Sequence, residues 1–310
     1  MIFEGSEKKF EILVDGLDLR SLPRSFWENV VQKSQAEILS SFSNDFFDAY
    51  LLSESSLFVS QNRCVMITCG QTRLIDAALF FLEQYKQNVQ ACFYQRKNEL
   101  YPQMQSSDFT SDVEKLRCFL DGNIFELGNS RRHYTHIFYF EKETIDSNDD
   151  VTVEFLMYDI SPMTRDIFMG DRSTEEKREQ IHHLFSDTRL FSEFEIDDFV
   201  FEPFGYSVNG LLEDKYFTIH VTPQEECSYI SFESNIDLSV FDEQLFHKLY
   251  LACQPESFDI LLFQLSHLKE KTVQGKPIVD FDTTKLGQSY QVHFYHQALK
   301  NRDMSTQSAK

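Results

Sequence analysis

Along most of the chain apolar and polar residues alternate in short runs, the spacing of strands with one face buried; a few stretches instead repeat apolar residues every three to four positions. Phe10–Val14, Arg63–Thr68 and Val89–Tyr94 read as strands. Pro23 opens a short helix through Trp27, Val30 and Val31, and Leu74, Ala77, Ala78, Phe81 and Leu82 predict a helix over Thr72–Tyr85. Strands follow at Tyr134–Glu141 and Val151–Tyr158, then a polar helix over Thr174–Phe185. The second half repeats the order: strands at Tyr216–Val221 and Ser228–Glu233, a helix at Phe241–Leu251, a strand at Phe258–Leu265. Asp146–Asp150 reads as a loop and Ser305–Lys310 as a frayed tail. Strand pairs each followed by one helix predict an α+β fold of two facing antiparallel sheets with helices outside, internally duplicated.

Composition narrows this further. A chain of 310 residues with 42% hydrophobic content can bury a sizeable core, and its 31 Phe and 13 Tyr favour sheet. The formal charge of −21 would repel a nucleic-acid backbone or an anionic membrane surface and suits cationic ligands. The six cysteines form no CxxC pair, and Met1-Ile-Phe-Glu-Gly lacks the basic start and apolar run of a signal peptide, so free thiols in the cytoplasm are expected. No apolar run approaches the roughly 20 residues of a spanning helix. His182-His183 and His293/His296 lack flanking Cys or carboxylate ligands and read as surface or partly buried histidines, with no metal expected.

Candidate chemistry concentrates in three places. The run Leu51-Leu-Ser-Glu-Ser-Ser-Leu-Phe-Val59 places Glu54-Ser55-Ser56 beside an apolar strand, and Thr68-Cys69-Gly70 follows closely. A serine hydroxyl can attack the carbonyl before it, turning amide into ester, if a turn holds the two in near-attack geometry. Further on stand Gly205-Tyr-Ser-Val-Asn-Gly210 and Thr218-Ile-His-Val-Thr-Pro223. Taken singly these are open to plainer readings. Glu-Ser-Ser can be an ordinary turn, His220 a hydrogen-bonded core histidine, and Cys69 a small buried hydrophobe.

Together, and in this order, these motifs resemble the eukaryotic pyruvoyl-dependent S-adenosylmethionine decarboxylases. The resemblance runs from Ile2-Phe-Glu-Gly-Ser-Glu-Lys8 to Ser228-Tyr-Ile-Ser-Phe-Glu-Ser-Asn235 and weakens beyond about Leu238. It implies a four-layer αββα sandwich forming one decarboxylase domain over residues 1–300, with 301–310 as a flexible tail, because neither half holds all the motif residues. It further implies self-cleavage between Glu54 and Ser55 into a β chain of residues 1–54 and an α chain of residues 55–310. Ser55 becomes the pyruvoyl cofactor, Ser207 stabilises the oxyanion and His220 acts as base. The pyruvoyl forms a Schiff base with S-adenosylmethionine and drains electrons on decarboxylation, Cys69 donates a proton, and Glu4 and Glu7 contribute to activity. Phe3 and Phe201 stack on adenine. A Glu that binds the ribose is replaced by Gln224, which predicts weaker substrate binding, unless Glu225 takes the role by a local shift.

The resemblance also implies an acidic site for putrescine as activator, lined by Glu11, Asp150, Thr152, Glu154 and Glu233. Asp150, Thr152 and Glu154 share one face of a strand, which by itself could equally be a solvent face. Two departures stand out: Ile67 where the family often has Lys, and Gln95 in place of a small hydroxyl residue. Loss of the Lys would leave uncompensated negative charge, calling for a diamine or a raised carboxyl pKa. A homodimer of αβ units is among the assemblies the resemblance allows. The competing function is a catalytically weak paralogue acting as a regulatory subunit of a competent decarboxylase; a ligand-binding sandwich without chemistry is a third.

Overall fold

The structure, a computed structural model, describes residues 7–99, 101–130, 133–145, 151–264 and 272–299. Its first sheet contains β1 (Lys8–Val14), β2 (Ile38–Ser43), β3 (Asp48–Leu52), β4 (Ser55–Val59), β5 (Arg63–Thr68), β6 (Val89–Lys97), β7 (Asn123–Ser130) and β8 (His133–Glu141). The second contains β9 (Val151–Tyr158), β10 (Glu195–Val200), β11 (Tyr206–Leu212), β12 (Lys215–Thr222), β13 (Tyr229–Ser234), β14 (Ser257–Gln264), β15 (Ile278–Leu286) and β16 (Tyr290–Ala298). The spatial orders are β2-β3-β4-β5-β1-β6-β8-β7 and β10-β11-β12-β13-β9-β14-β16-β15. Adding eight to each strand of the first order gives the second, so the expected duplication is present in the topology.

Alternation along each strand sorts side chains into layers. Phe10, Ile12 and Val14 of β1 pack against α1 (Arg24–Lys33), α2 (Leu74–Tyr85) and α3 (Phe109–Leu116). In the other half Val153, Phe155 and Met157 of β9 join α4 (Pro162–Met169), α5 (Thr174–Leu184), α6 (Leu190–Glu193) and α7 (Leu245–Cys253). A third cluster fills the space between the sheets, joining Leu13, Ala91, Phe93 and Tyr139 to Leu156, Leu261, Phe263 and Phe294. The result is the expected αββα sandwich.

Local signals account for the element ends. Ser173 and Glu176 make a capping box on α5 and Asp108 caps α3, each satisfying amides that a first turn leaves free. Pro23 precedes α1, where the missing amide is harmless. The predicted helix at Phe241–Leu251 starts four residues later, at Leu245, because Asp242 first forms a turn with Gln244 and Leu245.

Candidate active site

The inner faces carry more than apolar residues. Lys9 and Glu11 share the inward face of β1 with Leu13, and Thr152 and Glu154 share that of β9 with Leu156. From β11, β12 and β13 come Ser207 and Asn209, Thr218 and His220, and Ser231 and Glu233, all buried. Period two thus brings together, inside the sandwich, polar residues far apart in sequence.

Ser53 and Glu54 form the two-residue turn between β3 and β4, with Leu52 paired to Ser55. By alternation Ser55 should point with Leu57 and Val59 toward the helices, while Ser56 faces the other sheet. Ser55 instead has φ of 141°, a value that costs strain in any residue but glycine, and this re-aims its hydroxyl. Ser55 Oγ lies 2.9 Å from His220 Nε2, across the sheet gap, and Ser56 Oγ lies 3.3 Å from the same nitrogen. Ser207 Oγ is 2.8 Å from His220 Nδ1. Burial lowers the His220 pKa to about 3, so the imidazole stays neutral and holds one lone pair for a proton.

The Glu54 carbonyl is gripped from β5. Its oxygen accepts from the Cys69 amide at 3.0 Å and lies 3.4 Å from the Cys69 thiol. Two donors on one carbonyl oxygen polarise it and suit the charge that develops on nucleophilic attack. Ser207, for which the resemblance implies the oxyanion role, contacts the far imidazole nitrogen instead. Burial, with Glu54 and Glu7 nearby, holds the Cys69 thiol well above its ordinary pKa and therefore protonated. Lys8 fixes the loop behind it, donating to Gly70 O at 2.8 Å and Thr72 O at 3.1 Å, while Gly70 takes φ of +65°. Glu7 accepts from Ser231 Oγ and, at 3.3 Å, from Tyr229 OH; burial pushes its pKa up to about 8.

The acidic cluster also forms, with an unforeseen cation. Lys9 Nζ pairs with Glu154 Oε1 and sits 3.2 Å from Glu233 Oε2 and 4.6 Å from the Phe263 ring centroid. Gln95 Nε2 donates to Glu154 at 2.9 Å, Tyr216 OH to Glu233 at 3.0 Å, and Arg63 Nε lies 2.9 Å from Glu11. Burial works against the Lys9 ammonium, but Glu154, Glu233 and Glu11 outweigh it and raise its pKa. Burial lifts Glu233 to about 7, with Lys9 partly offsetting. The charge expected to be missing because Ile67 replaces a Lys is therefore supplied by Lys9, from the neighbouring strand to which Ile67 pairs.

Of the remaining expected site residues, Phe201 follows β10, with its amide bonded to Gly205 O and its ring 4.9 Å from that of Phe199. Gln224 lies just beyond β12, and Glu225 reaches toward Arg165 at 3.8 Å. Phe3, Glu4, Asp150 and the 301–310 tail lie outside the described residues. Lys8, Lys9, Ser56, Asn209 and Thr218 were missed by sequence reasoning. Asn209 and Thr218 could have been found, because each stands two residues from an expected site residue and so shares its face. None of the six cysteines is in a disulfide, and among the described residues no helix is long and apolar enough to cross a membrane.

His296, read above as surface or partly buried, is fully buried, because β16 lies inside its sheet. With His133 and Asp259 it has the spacing of a metal site. Asp259 Oδ2 pairs with Lys97 Nζ at 2.5 Å and accepts from Tyr158 OH at 2.9 Å, while its Oδ1 meets His296 Nδ1 at 2.7 Å and His133 Nδ1 at 3.4 Å.

A hydroxyl on a strained turn, a neutral imidazole from the facing sheet and a doubly held carbonyl meet within a duplicated sandwich, a geometry that suits acyl transfer. Known proteins share the frame. Residues 1–308 match the family described as adenosylmethionine decarboxylase. S-adenosylmethionine decarboxylase proenzymes from Drosophila melanogaster and Xenopus laevis are each 34% identical to the chain; the first match covers 84% of this chain and 82% of the relative, the second 84% and 83%. The crystal structure of a Trypanosoma brucei AdoMetDC monomer superposes with a TM-score of 0.60 at 18% identity, covering 78% of this chain and 98% of that one. The chain belongs to the adenosylmethionine decarboxylase family.

Proposed function

We propose that this chain is a proenzyme that cuts itself between Glu54 and Ser55 and then decarboxylates S-adenosylmethionine, giving the aminopropyl donor for spermidine and spermine synthesis. The 2.9 Å contact between Ser55 Oγ and His220 Nε2, made by residues 165 apart from opposite sheets, carries the reading. Ser55 Oγ attacks the Glu54 carbonyl carbon, whose oxygen is held by Cys69; the carbon–nitrogen bond breaks, and the hydroxyl proton passes by way of His220 to the Ser55 nitrogen. His220 then removes the Ser55 Cα proton, and elimination releases the Glu54 carboxylate. Uptake of water and loss of ammonia leave a ketone at residue 55. The strained turn, the polarised carbonyl and the neutral base all fit a pyruvoyl group made at this position.

That group supplies an electron sink for decarboxylation. Cys69, protonated and beside the turn, is the group proposed to return a proton to the substrate carbon. Phe201 offers an aromatic face to adenine or to the sulfonium cation, and Gln224 offers an amide where a carboxylate would bind the ribose more strongly. Putrescine is the ligand whose charges suit Glu11, Thr152, Glu154 and Glu233, but Lys9 already places one ammonium there. Activation by the diamine is accordingly expected to be weak. A cytoplasmic setting accords with six cysteines that form no disulfide.

Intact mass of purified protein tests the cleavage: fragments ending at Glu54 and starting at residue 55 are expected, with Ser55→Ala remaining whole. Labelled carbon dioxide released by the chain alone, and lost on borohydride reduction, tests the decarboxylation. A regulatory paralogue would cleave poorly and release none without a partner; the intact Ser55, His220 and Cys69 geometry speaks against it.

A further inference from the structure

Two consecutive serines face one imidazole, yet only one peptide bond should break. We infer that Asn209 selects Ser55 over Ser56 as the self-cleaving residue. The inference rests on the self-cleavage reading above and concerns what fixes its register.

Three hydroxyls surround His220 Nε2: Thr218 Oγ1 at 2.8 Å, Ser55 Oγ at 2.9 Å and Ser56 Oγ at 3.3 Å. In the tautomer that donates Nδ1–H to Ser207 Oγ, Nε2 has one lone pair and accepts one good hydrogen bond. Asn209 Oδ1 resolves the competition. It lies 2.5 Å from Ser56 Oγ and 3.0 Å from Thr218 Oγ1, and a carboxamide oxygen has two lone pairs, one for each hydroxyl proton. Ser55 alone is then left to hand its proton to Nε2. Ser56, spending its proton on Asn209, is held as a poor nucleophile toward its own preceding carbonyl, that of Ser55.

A second observation points the same way. Asn209 is fully buried, and its Nδ2 has no hydrogen-bond partner among the described residues. An orphaned buried amide nitrogen costs stability, so Asn is not here for its own donor. The polar residue makes sense through what its oxygen does. Asn209 touches Ser56 and Thr218 and acts through them, which makes it a positioning residue.

Without Asn209, Thr218 Oγ1 still has Val208 O at 3.1 Å, whereas the proton of Ser56 turns toward Nε2, and attack by Ser56 Oγ on the Ser55 carbonyl becomes competitive. Carbon–oxygen bond formation and carbon–nitrogen cleavage then fall one residue later, with the proton passing to the Ser56 nitrogen. The full chain should be expressed as Asn209→Ala, Asn209→Asp and Asn209→Ala with Ser56→Ala, and the small fragment weighed by mass spectrometry over time, with folding followed by circular dichroism. Asn209→Ala should cleave at least severalfold more slowly and release fragments ending at both Glu54 and Ser55. Adding Ser56→Ala should restore the single fragment ending at Glu54. Asn209→Asp, which keeps an acceptor oxygen at this position, should retain the parental register.

If Asn209→Ala yields only the fragment ending at Glu54 at the parental rate, the inference is wrong. It is equally wrong if the folded variant fails to cleave and Ser56→Ala does not revive it. If Asn209→Ala does not fold, a fragment ending at Ser55 from Asn209→Asp overturns it, and the parental register there supports it. An unmodified chain that never cleaves would refute the self-cleavage reading itself, a separate outcome.

Discussion

Replacing Lys9 with Met tests how the acidic layer between the sheets is held. The side chain keeps its volume and its contact with Phe263 but leaves Glu154 and Glu233 facing each other without the ammonium. At 3.2 Å and an effective dielectric of about 20, the Lys9–Glu233 attraction is about 5 kcal/mol, and stripping one partner from a buried pair costs about 3–5 kcal/mol. At about 2 °C per kcal/mol for a chain of this size, the melting temperature should fall by about 6–10 °C near pH 7.5. The fall should depend on pH with a definite sign. Glu233 has a folded pKa near 7 against an ordinary 4.5, so the folded state holds a proton that the unfolded state has released between those values, and stability drops as pH rises through that window. Removing Lys9 takes away the attraction that limits this shift, so the window extends upward in the variant. The loss should shrink to about 2 kcal/mol or less at pH 5.5, where Glu233 is protonated in both proteins. Differential scanning fluorimetry across pH 5.5–8.5, with Lys9→Arg as the charge-preserving control, measures it. Putrescine should stabilise Lys9→Met far more than the parent. Equal melting temperatures at pH 7.5, or a difference that does not grow with pH, would refute Lys9 as the counter-ion.

Three further outcomes follow from the geometry. Because burial keeps His220 neutral down to about pH 3, the rate of self-cleavage should show no inflection near 6.5, and a titration there would contradict the buried imidazole. Lys8→Met removes two charge-assisted bonds that hold the Cys69 loop and should slow cleavage and turnover at least about tenfold, read by gel densitometry and carbon dioxide release. Gly210→Ala would place a Cβ 2.1 Å from the Phe217 ring in the core behind β12 and should cost about 1–3 kcal/mol in urea denaturation.

Much of this molecule was legible from periodicity and motif. Val151–Tyr158 is found as predicted, and the helix expected over Thr72–Tyr85 begins at Leu74. The meeting of Ser55, Ser207 and His220 was anticipated by resemblance. What escaped was set by long-range partners. Strands β2 and β15 are edge strands with mixed, half-exposed patterns that carry little signal by themselves. Lys9 reads as a solvent charge because a lysine next to Lys8 at the start of a strand looks ordinary. Only the facing Glu154 and Glu233, more than a hundred residues away, make it an internal counter-ion. Likewise the reorientation of Ser55 depends on a backbone angle that no pattern of residue types announces.

The strand order has a mechanical consequence for a chain cut at Glu54. The shorter piece would carry β1, β2 and β3, and β1 lies between β5 and β6, hydrogen-bonded along both its edges to strands of the longer piece. Severing the hairpin therefore frees neither half: the small piece is threaded through the sheet like a slat in a woven panel. Separating the two would mean unzipping the centre of the sheet, so the mature particle should stay whole through gel filtration and come apart only when the fold itself is dissolved.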